Sequence, residues 1–349
     1  MKYNPKVTVL MSVYNGEKYL REAVDSMLAQ TYYDFEFVIY DDCSTDSSAE
    51  IITSYKDDRI VFRQNKANVG LTRNLADGVE KARGKYVARM DADDIAMPRR
   101  LEKQVSWMDA HEDVTILGSQ VMYFNESVNS GATADPLDDK AIKAMLLVSF
   151  AMLHPTIMIR AEDLRRYGLN YNSSFRYSQD HALYFDCMLK HLKFANHPEP
   201  LLKMRSHRGS ISKAKHGVQQ ECSCRARVKV LESIGLLGCL EDEELVAYNS
   251  MASGELPCSA HGIECLASFA GKLLTSRELA GFVDIDALRG AFTNRVWSLA
   301  YECASNPQFF GAMGAMGALS GVGLKCRWPM KLRLKFILKR MHAAVRRII

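Results

Sequence analysis

The sequence has little that would indicate an extracellular or disulfide-bonded protein. Its nine cysteines are odd in number and scattered, and only Cys222 and Cys224 lie close together. No second pair completes a zinc-binding pattern, so we expect reduced thiols in a reducing compartment. The first residues, MKYNPKVTVLMSVYNGEKY, lack the charged, apolar and small-residue pattern of a secretory signal. These features predict a cytoplasmic protein.

Composition excludes several further classes of protein. The chain is 48% apolar and 25% charged, with 9 prolines and 21 glycines, which excludes a disordered or collagen-like chain. Its 349 residues are enough for two domains of about 150 residues each.

Acidic residues are absent from the last part of the chain. After Glu302 there is no Asp or Glu, but there are nine Lys and Arg residues. Since the whole chain has a net charge of +4, the part up to Glu302 has a net charge of −5. Residues 331–349 alternate basic and apolar side chains, which predicts an amphipathic helix on an anionic membrane surface. The alternative is a basic helix packed on its own domain. Because no aromatic-and-basic RNA motif accompanies the tail, we expect no nucleic-acid partner.

A long uncharged segment precedes this tail. Residues 304–324 carry no charge, but they include five glycines and a proline. That composition is poor for a transmembrane helix, so we expect a packed or surface-dipping segment.

Strand-like and helix-like patterns alternate over the first two hundred residues. Short apolar runs predict strands, and apolar residues with helical spacing predict the helices between them. The predicted strands are 7–13, 35–40, 60–65, 85–90, 114–124 and 155–160, and a helix is predicted over 180–191. This order predicts an α/β fold with a mostly parallel sheet flanked by helices. Past residue 215 the pattern becomes helical, which predicts domains at 1–215 and 216–349.

Three polar clusters follow predicted strands, where ligands of such sheets bind. They are Ser12 to Asn15, Asp41-Asp42, and Asp91 to Asp94. Carboxylates this close repel one another unless a cation lies among them, and Mg²⁺ or Mn²⁺ held by one or two carboxylates commonly binds nucleotide phosphates. The alternative is a solvated turn.

The first strand is followed by Tyr14-Asn15-Gly16 rather than by a glycine-rich phosphate loop. A dinucleotide cofactor would therefore lack its usual cradle, and a nucleotidyltransferase would lack its basic loop. Asp42 can instead accept the imide hydrogen of uracil while Tyr14 stacks on the base. The alternative for Asp42 is a cap on the next helix.

Two long segments, VTVLMSVYNGEKYLREAVDSMLAQTYYDFEFVIYDDCSTDSS and NVGLTRNLADGVEKARGKYVARMDADDIAMPRRLEKQ, resemble the family 2 glycosyltransferases. The likeness covers roughly residues 5–215. It implies the GT-A nucleotide-diphospho-sugar transferase fold and inverting transfer of a sugar from a nucleotide diphosphate, usually UDP. It also implies Mn²⁺ or Mg²⁺ on the diphosphate.

The resemblance gives roles to individual positions on the donor side. Ser12, Tyr14 and Asp42 match nucleoside-binding positions, and Arg73 matches a position near the base or phosphates. Asp91 matches the carboxylate near the donor ribose and sugar.

The resemblance also gives roles to residues nearer the reaction. Asp93 matches the metal ligand, and His207, in MRSHRGSIS, matches a histidine that reaches the metal or diphosphate. Asp180 matches the base that opens a helix. The family's Glu-Asp pair is Gln179-Asp180 here, so the acidic neighbour of the base is lost. The alternatives are a helix N-terminal acid for Asp180 and an ordinary loop histidine for His207.

The implied acceptor is a saccharide or lipid-linked saccharide of a bacterial surface polysaccharide, such as O-antigen, capsule or lipopolysaccharide. With the basic tail, this predicts a peripheral enzyme on the inner face of the cytoplasmic membrane. A processive polysaccharide synthase is an alternative, although the Gln-x-x-Arg-Trp segment is reduced to Leu324-Lys-Cys-Arg-Trp. A noncatalytic nucleotide-sugar-binding partner is the other.

Overall fold

The computed structural model describes residues 4–125, 129–207, 216–257, 259–303 and 316–324. The chain divides into two compact units. The first contains Met1–Ile142 and Ala151–Ser223, and the second contains Lys143–Phe150 and Cys224–Ile349. The domain division expected from the sequence near residue 215 stays a prediction.

The first unit is an α/β structure. Its strands are β1 (Val7–Val13), β2 (Phe35–Asp41), β3 (Ile60–Gln64), β4 (Tyr86–Met90), β5 (Ile95–Ala96), β6 (Val114–Phe124), β7 (Asn129–Ala132), β8 (Met158–Arg160) and β9 (Lys193–Arg205). Its helices are α1 (Glu17–Leu28), α2 (Ser48–Thr53), α3 (Leu71–Lys81), α4 (Arg100–Ala110), α6 (Ala161–Tyr167) and α7 (Gln179–Leu189). Two further helices run across the division between the units: α5 (Asp139–Val148) and α8 (His216–Ser233).

The strands form one mostly parallel sheet. Its order is β3-β2-β1-β4-β8-β6-β9-β5, with β7 beside β6. The β3-β2-β1-β4 half is parallel, β8 is antiparallel to both of its neighbours, and β6 and β9 are parallel to each other. This arrangement, with helices around the sheet, confirms the predicted α/β fold.

The apolar strands form because both of their faces are covered. Val9 of β1 and Phe37 of β2 are fully buried, and they pack in one core with Leu20 and Val24 of α1. Burial of the helix face and the strand face together provides the main favourable free energy for this layer.

Strand register brings the predicted site residues to one edge. Val13 of β1 pairs with Asp41 of β2, and Met11 pairs with Met90 of β4. The backbone N–H of Asp42 also donates to Val13 O at 2.8 Å. The residues that follow β1, β2 and β4 therefore share the carboxyl edge of the sheet, where an α/β fold binds its ligands.

Three local predictions need correction. The 13-residue strand β9 was not expected, because its sequence contains Pro198 and Pro200, which disfavour a strand. Its pairing with β6 shifts register at these prolines, between Ser119 and Gln120. The sequence favours Pro98 in the first turn of a helix through LEKQVSWMDAH, whereas in the structure Pro98 precedes Arg99, the N-cap of α4. Finally, the strand predicted over 155–160 begins as a 3₁₀ turn and is a strand only from Met158.

The second unit is mainly helical, as predicted. Its remaining helices are α9 (Asp242–Ser253), α10 (Ala260–Thr275), α11 (Arg277–Ala280), α12 (Ile285–Cys303) and α13 (Met316–Gly321). Within the ranges given above, none of the helices has the length and apolar character needed to cross a membrane. The amphipathic helix expected over 331–349 and most of the uncharged segment 304–324 lie outside the described residues.

Candidate active site

Three carboxylates meet directly after β4. Asp91, Asp93 and Asp94 each offer an oxygen, and these oxygens lie within 4.8 Å of one another. Asp94 is 2% exposed. Its Oδ1 accepts a hydrogen bond from the backbone N–H of Arg205 at 2.8 Å, whereas its buried Oδ2 has no hydrogen-bond partner. A buried carboxylate oxygen without a donor is unfavourable, and a divalent cation is a suitable partner for it. The residues present therefore fit a bound Mn²⁺ or Mg²⁺.

The electrostatics of these carboxylates also favour a cation. Burial raises the pKa of Asp94 well above its usual range, and the charges of Asp91 and Asp93 raise it further. Burial likewise raises the pKa of Asp91, although the guanidinium of Arg89 opposes this effect. The raised pKa values reflect the unfavourable proximity of these negative charges, which a bound cation would neutralise.

Two buried arginines lie beside the acidic residues. The Arg89 side chain is 4% exposed and forms an ion pair with Asp91, while its Nε has no hydrogen-bond partner. Arg100 is fully buried, and its Nη2 donates to the carbonyl oxygen of Arg89 at 2.6 Å. Burial lowers the pKa of Arg100 to about 10. Neither arginine was among the predicted site residues, although Arg89 was detectable as a basic residue inside the apolar run KYVARM.

The last residue of β9 and the residues that follow it contact the acidic residues. His207 Nε2 lies 2.9 Å from Asp93 Oδ2, which places the predicted histidine and the predicted metal ligand together. Arg205 holds the same turn, because its Nε donates to the carbonyl oxygen of Asp93 at 2.9 Å and its guanidinium pairs with Glu22. It also lies over the ring of Tyr19, 4.3 Å from the centroid. Arg205 was not among the predicted site residues, although it lies in MRSHRGSIS, the segment that contains His207.

The turn after β1 approaches the acidic motif closely. Asn15 has a φ of 51°, and its side-chain oxygen accepts from the backbone N–H of Thr45 at 2.8 Å. A Cβ on Gly16 would lie 2.6 Å from Val13 Cγ2, a clash within the turn, and 3.9 Å from the Cβ of Ala92, which is ordinary contact with the acidic motif. Tyr14, in this turn, is 53% exposed and available to a ligand.

Asp42 is 2% exposed and is bound to the turn that precedes α3. Its Oδ1 accepts from Asn65 Nδ2 at 2.7 Å and from Val69 N at 3.0 Å, and its Oδ2 accepts from Gly70 N at 2.8 Å. It therefore does not cap α2, whose N-cap is Ser47. Because a carboxylate can accept about four hydrogen bonds, Oδ2 keeps capacity for one more donor.

Ser12 is connected to Asp42 through two asparagines. Asn74 Nδ2 donates to Ser12 Oγ at 3.0 Å, and Asn65 Nδ2 donates to Asn74 Oδ1 at 2.7 Å. Arg73, the neighbour of Asn74 on α3, is exposed and has no hydrogen-bond partner in the described part of the chain. The predicted nucleoside-binding residues thus comprise a fixed polar network and two exposed side chains, Tyr14 and Arg73.

Asp180 lies in the first turn of α7, as predicted. Burial raises its pKa, and the carboxylate of Asp91 is close enough to raise it further. The charge of Arg89 acts in the opposite direction and lowers the pKa of Asp180. Ser178, the N-cap of α7, has a φ of 51° and donates to the carbonyl oxygen of Gln219 at 2.8 Å. This strained cap fixes the start of the helix that carries Asp180.

Residues 154–160, HPTIMIR, form hydrogen bonds to several surrounding elements. His154 Nε2 lies 2.8 Å from the hydroxyl oxygen of Tyr171, and burial lowers the pKa of this histidine well below its usual range. The Arg160 guanidinium donates to carbonyl oxygens of Met108, His111 and Val114. These contacts hold the segment against the end of α4, the start of β6 and Tyr171.

The sheet order and the helices around the sheet are those of the GT-A fold. Residues 8–168 match the family model described as glycosyl transferase family 2. An uncharacterised glycosyltransferase of Methanocaldococcus jannaschii is 38% identical over 207 residues, covering 58% of this chain and 71% of that protein. The amylovoran biosynthesis glycosyltransferase AmsE of Erwinia amylovora is 30% identical over 210 residues, covering 59% of this chain and 78% of that protein. The chain belongs to glycosyl transferase family 2 and is a transferase enzyme.

Solved structures of similar fold include two nucleotide-sugar complexes. The mannosyltransferase PcManGT of Pyrobaculum calidifontis, in complex with GDP-Man and Mn²⁺, has a TM-score of 0.56 at 16% identity, covering 94% of this chain and 88% of that one. S. aureus TarS in complex with UDP-GlcNAc has a TM-score of 0.54 at 18% identity, covering 93% of this chain and 94% of that one. At these identities the likeness establishes the fold.

Proposed function

We propose that this enzyme transfers a single sugar, with inversion, from a nucleoside-diphosphate donor to a saccharide or lipid-linked saccharide acceptor. UDP is the nucleotide we expect first, and the product is a bacterial surface polysaccharide or its precursor. The observation that supports this most is the meeting of Asp91, Asp93, Asp94 and His207 beside the turn that carries Tyr14. This arrangement offers a cation site next to an exposed aromatic residue.

Asp93 and His207 would hold Mn²⁺ or Mg²⁺, with Asp94 as a further oxygen ligand. The unpartnered Oδ2 of Asp94 and the 2.9 Å approach of His207 to Asp93 support this assignment. When bound, the cation would stabilise the negative charge of the departing diphosphate, an effect of several kcal/mol. The Mn²⁺ named in the PcManGT complex is consistent with such a requirement.

Asp180 would act as the base that takes the proton of the acceptor hydroxyl. Its raised pKa makes it a better proton acceptor than an exposed aspartate, and the first turn of α7 holds it in place. Asp91, across from it, would lie near the donor ribose and sugar. One base and direct displacement are sufficient for inversion, so no covalent sugar intermediate is needed.

Tyr14 would stack on the donor base, and the free capacity of Asp42 Oδ2 would accept its imide hydrogen. Arg73 would contact the phosphates or base from α3. The neighbouring complexes contain UDP-GlcNAc and GDP-Man, so both uridine and guanosine donors occur on this fold. A single acceptor capacity at Asp42 suits the one imide hydrogen of uracil.

A membrane location would suit a lipid-linked acceptor. The nine basic residues after Glu302 can each contribute up to about 1 kcal/mol near an anionic surface. The enzyme would then lie on the inner face of the cytoplasmic membrane, attached through residues 331–349.

A thermal-shift screen of nucleotides and nucleotide sugars, with and without Mn²⁺, tests the proposed function. A ligand at 100 times its Kd adds roughly 2.7 kcal/mol of stability, which raises the melting temperature measurably. We expect a Mn²⁺-dependent shift with UDP and with one UDP-sugar. A shift with GDP alone would replace the role proposed for Asp42, and no shift with any nucleotide would favour a noncatalytic protein.

A further inference from the structure

Three side chains of the second unit meet on its surface. Glu243 of α9 and His261 and Cys265 of α10 each direct a ligating atom toward the others, all within 4.8 Å. His261 Nε2 lies 2.7 Å from Glu243 Oε2 and 3.6 Å from Cys265 Sγ. None of these three residues belongs to the candidate active site of the first unit.

The nitrogen–sulfur separation suits a tetrahedral metal ion. Zn–N bonds of about 2.05 Å and Zn–S bonds of about 2.3 Å, at a tetrahedral angle, place the two ligand atoms about 3.6 Å apart. The His261–Cys265 pair has this separation in the structure. Four residues apart on one helix, the two side chains project from the same face, which is the spacing needed for two ligands of one ion.

The two helices that carry these residues are fixed against each other. The Tyr248 and Phe269 rings stack at 4.1 Å with an interplanar angle of 16°. The Glu244 side chain, 6% exposed, accepts from Lys272 Nζ at 2.7 Å and from Ser268 Oγ at 2.5 Å. Glu243 is the next residue to Glu244, so its position relative to α10 is set by these contacts. A ligand set on a rigid scaffold binds its ion with less loss of conformational entropy.

We propose that Glu243, His261 and Cys265 form a binding site for a transition-metal ion of the Zn²⁺ class. One sulfur, one nitrogen and one carboxylate oxygen suit such a borderline ion, whereas a thiolate ligand does not suit a hard cation such as Mg²⁺. Three protein ligands leave a fourth position for water. The bound ion cross-links α9 to α10 and is separate from the cation of the proposed transfer reaction.

An exposed ion pair is the simpler explanation for two of these residues. The His261 and Glu243 side chains are 69% and 71% exposed, and a surface pair of this kind has little effect on stability. An ion pair does not require the cysteine, however, whereas a metal site does. Cys265 is therefore the residue on which the test depends.

Titration of the full-length protein with Co²⁺, followed by absorption spectroscopy, tests the proposal. Cobalt bound through a thiolate gives a sulfur-to-metal charge-transfer band, which an oxygen-ligated cation lacks. The Asp93→Asn variant serves as the starting protein, so that the acidic site of the first unit adds little to the titration. We expect one equivalent of Co²⁺ to produce the band, and an equivalent of Zn²⁺ to remove it by displacement.

Two variants identify the ligands. Cys265→Ala should abolish the charge-transfer band, and His261→Gln should weaken Co²⁺ binding at least ten-fold. Cys239→Ala is the matched control, because Cys239 is an exposed cysteine of the same unit and should leave the titration unchanged. Absence of the band in the starting protein, or its persistence in Cys265→Ala, would overturn the proposal. Neither result depends on donor binding, so failure here is distinct from failure of the proposed function.

Discussion

His207 Nε2 lies 2.9 Å from Asp93 Oδ2, although 114 residues separate the two in the sequence. The contact joins the end of β9 to the turn after β4, and the side chain of Arg205 fastens the same turn through the carbonyl oxygen of Asp93. A strand interrupted by prolines therefore completes the acidic site. The contact between His207 and Asp93 is the reason to expect that substitution of Asp93 impairs the proposed metal site.

Tyr14 provides a test of base recognition. Removing the ring by Tyr14→Ala should weaken UDP binding about ten-fold or more, since stacking on an aromatic side chain contributes about 1–3 kcal/mol per base. Stability should not change, because the ring is 53% exposed. Tyr33→Ala, which removes a ring that is 73% exposed, is the control and should bind UDP normally. Equal UDP affinity in both variants would exclude a stacking role for Tyr14.

Asp180 should control the pH dependence of transfer. A base works in its ionised form, and burial raises the pKa of Asp180 above its usual value of 3.8. The rate of transfer should therefore fall on acidification at a pH above 3.8. Asp180→Asn should still bind the donor but lose transfer, and its residual rate should lack this acid limb.

The same substitution has an expected effect on stability. Because burial disfavours ionised Asp180, the native state loses stability as the pH rises through the raised pKa. Asp180→Asn should therefore be at least as stable as the wild type at neutral pH, as measured by urea unfolding. Asp186→Asn, further along α7, is the control for transfer. Unchanged turnover in Asp180→Asn would remove Asp180 as the base.

Arg89 should stabilise the folded protein through its ion pair with Asp91. Arg89→Met leaves Asp91, whose side chain is 32% exposed, without its buried partner, which should lower the free energy of unfolding by about 1.5–3 kcal/mol. Adding Asp91→Asn should recover part of the loss, because the uncompensated charge is then removed. Arg99→Met breaks an ion pair whose side chains are 61% and 40% exposed, and should have little effect on stability. If Arg89→Met and Arg99→Met lowered the free energy of unfolding by similar amounts, the stabilising role of the Arg89–Asp91 ion pair would be contradicted.

The basic tail should determine membrane binding. Truncation after residue 307 removes all nine of the terminal basic residues and should reduce sedimentation with anionic phosphatidylserine vesicles. Sedimentation with neutral phosphatidylcholine vesicles should be low for both proteins. Equal sedimentation of the full-length and truncated proteins with anionic vesicles would exclude the tail as the attachment.

Much of the first unit could be predicted because its signals are local. Apolar runs such as residues 7–13 form strands of the same bounds, and the acidic residues after β4 were identified from their position alone. β9 could not be predicted, because Pro198 and Pro200 obscure the strand pattern and its pairing with β6 is a tertiary property. The hydrogen-bond donors to Asp42 could not be predicted either. Val69 and Gly70 donate backbone N–H groups, and the residue type does not indicate such a donor.

The second unit was predicted only as helical. The meeting of Glu243 with His261 depends on how α9 packs against α10, which sequence spacing does not specify. His261 and Cys265 were detectable as a pair, since they lie four residues apart. Nothing in the sequence indicates which helix supplies the third side chain.

The most direct test of the account compares the wild type with Asp93→Asn in a donor assay with and without Mn²⁺. Release of the nucleoside diphosphate from the sugar donor is measured, with Asp113→Asn as a control for an exposed aspartate of the same unit. Loss of a stabilising effect of about 3 kcal/mol corresponds to a rate roughly 100-fold lower. We expect Mn²⁺ to stimulate donor turnover by the wild type and by Asp113→Asn. With Mn²⁺, turnover by Asp93→Asn should be at least roughly 100-fold slower than that of the wild type. The melting temperature of Asp93→Asn without metal should equal that of the wild type. Wild-type rates in Asp93→Asn would contradict the metal site on which the proposed function depends.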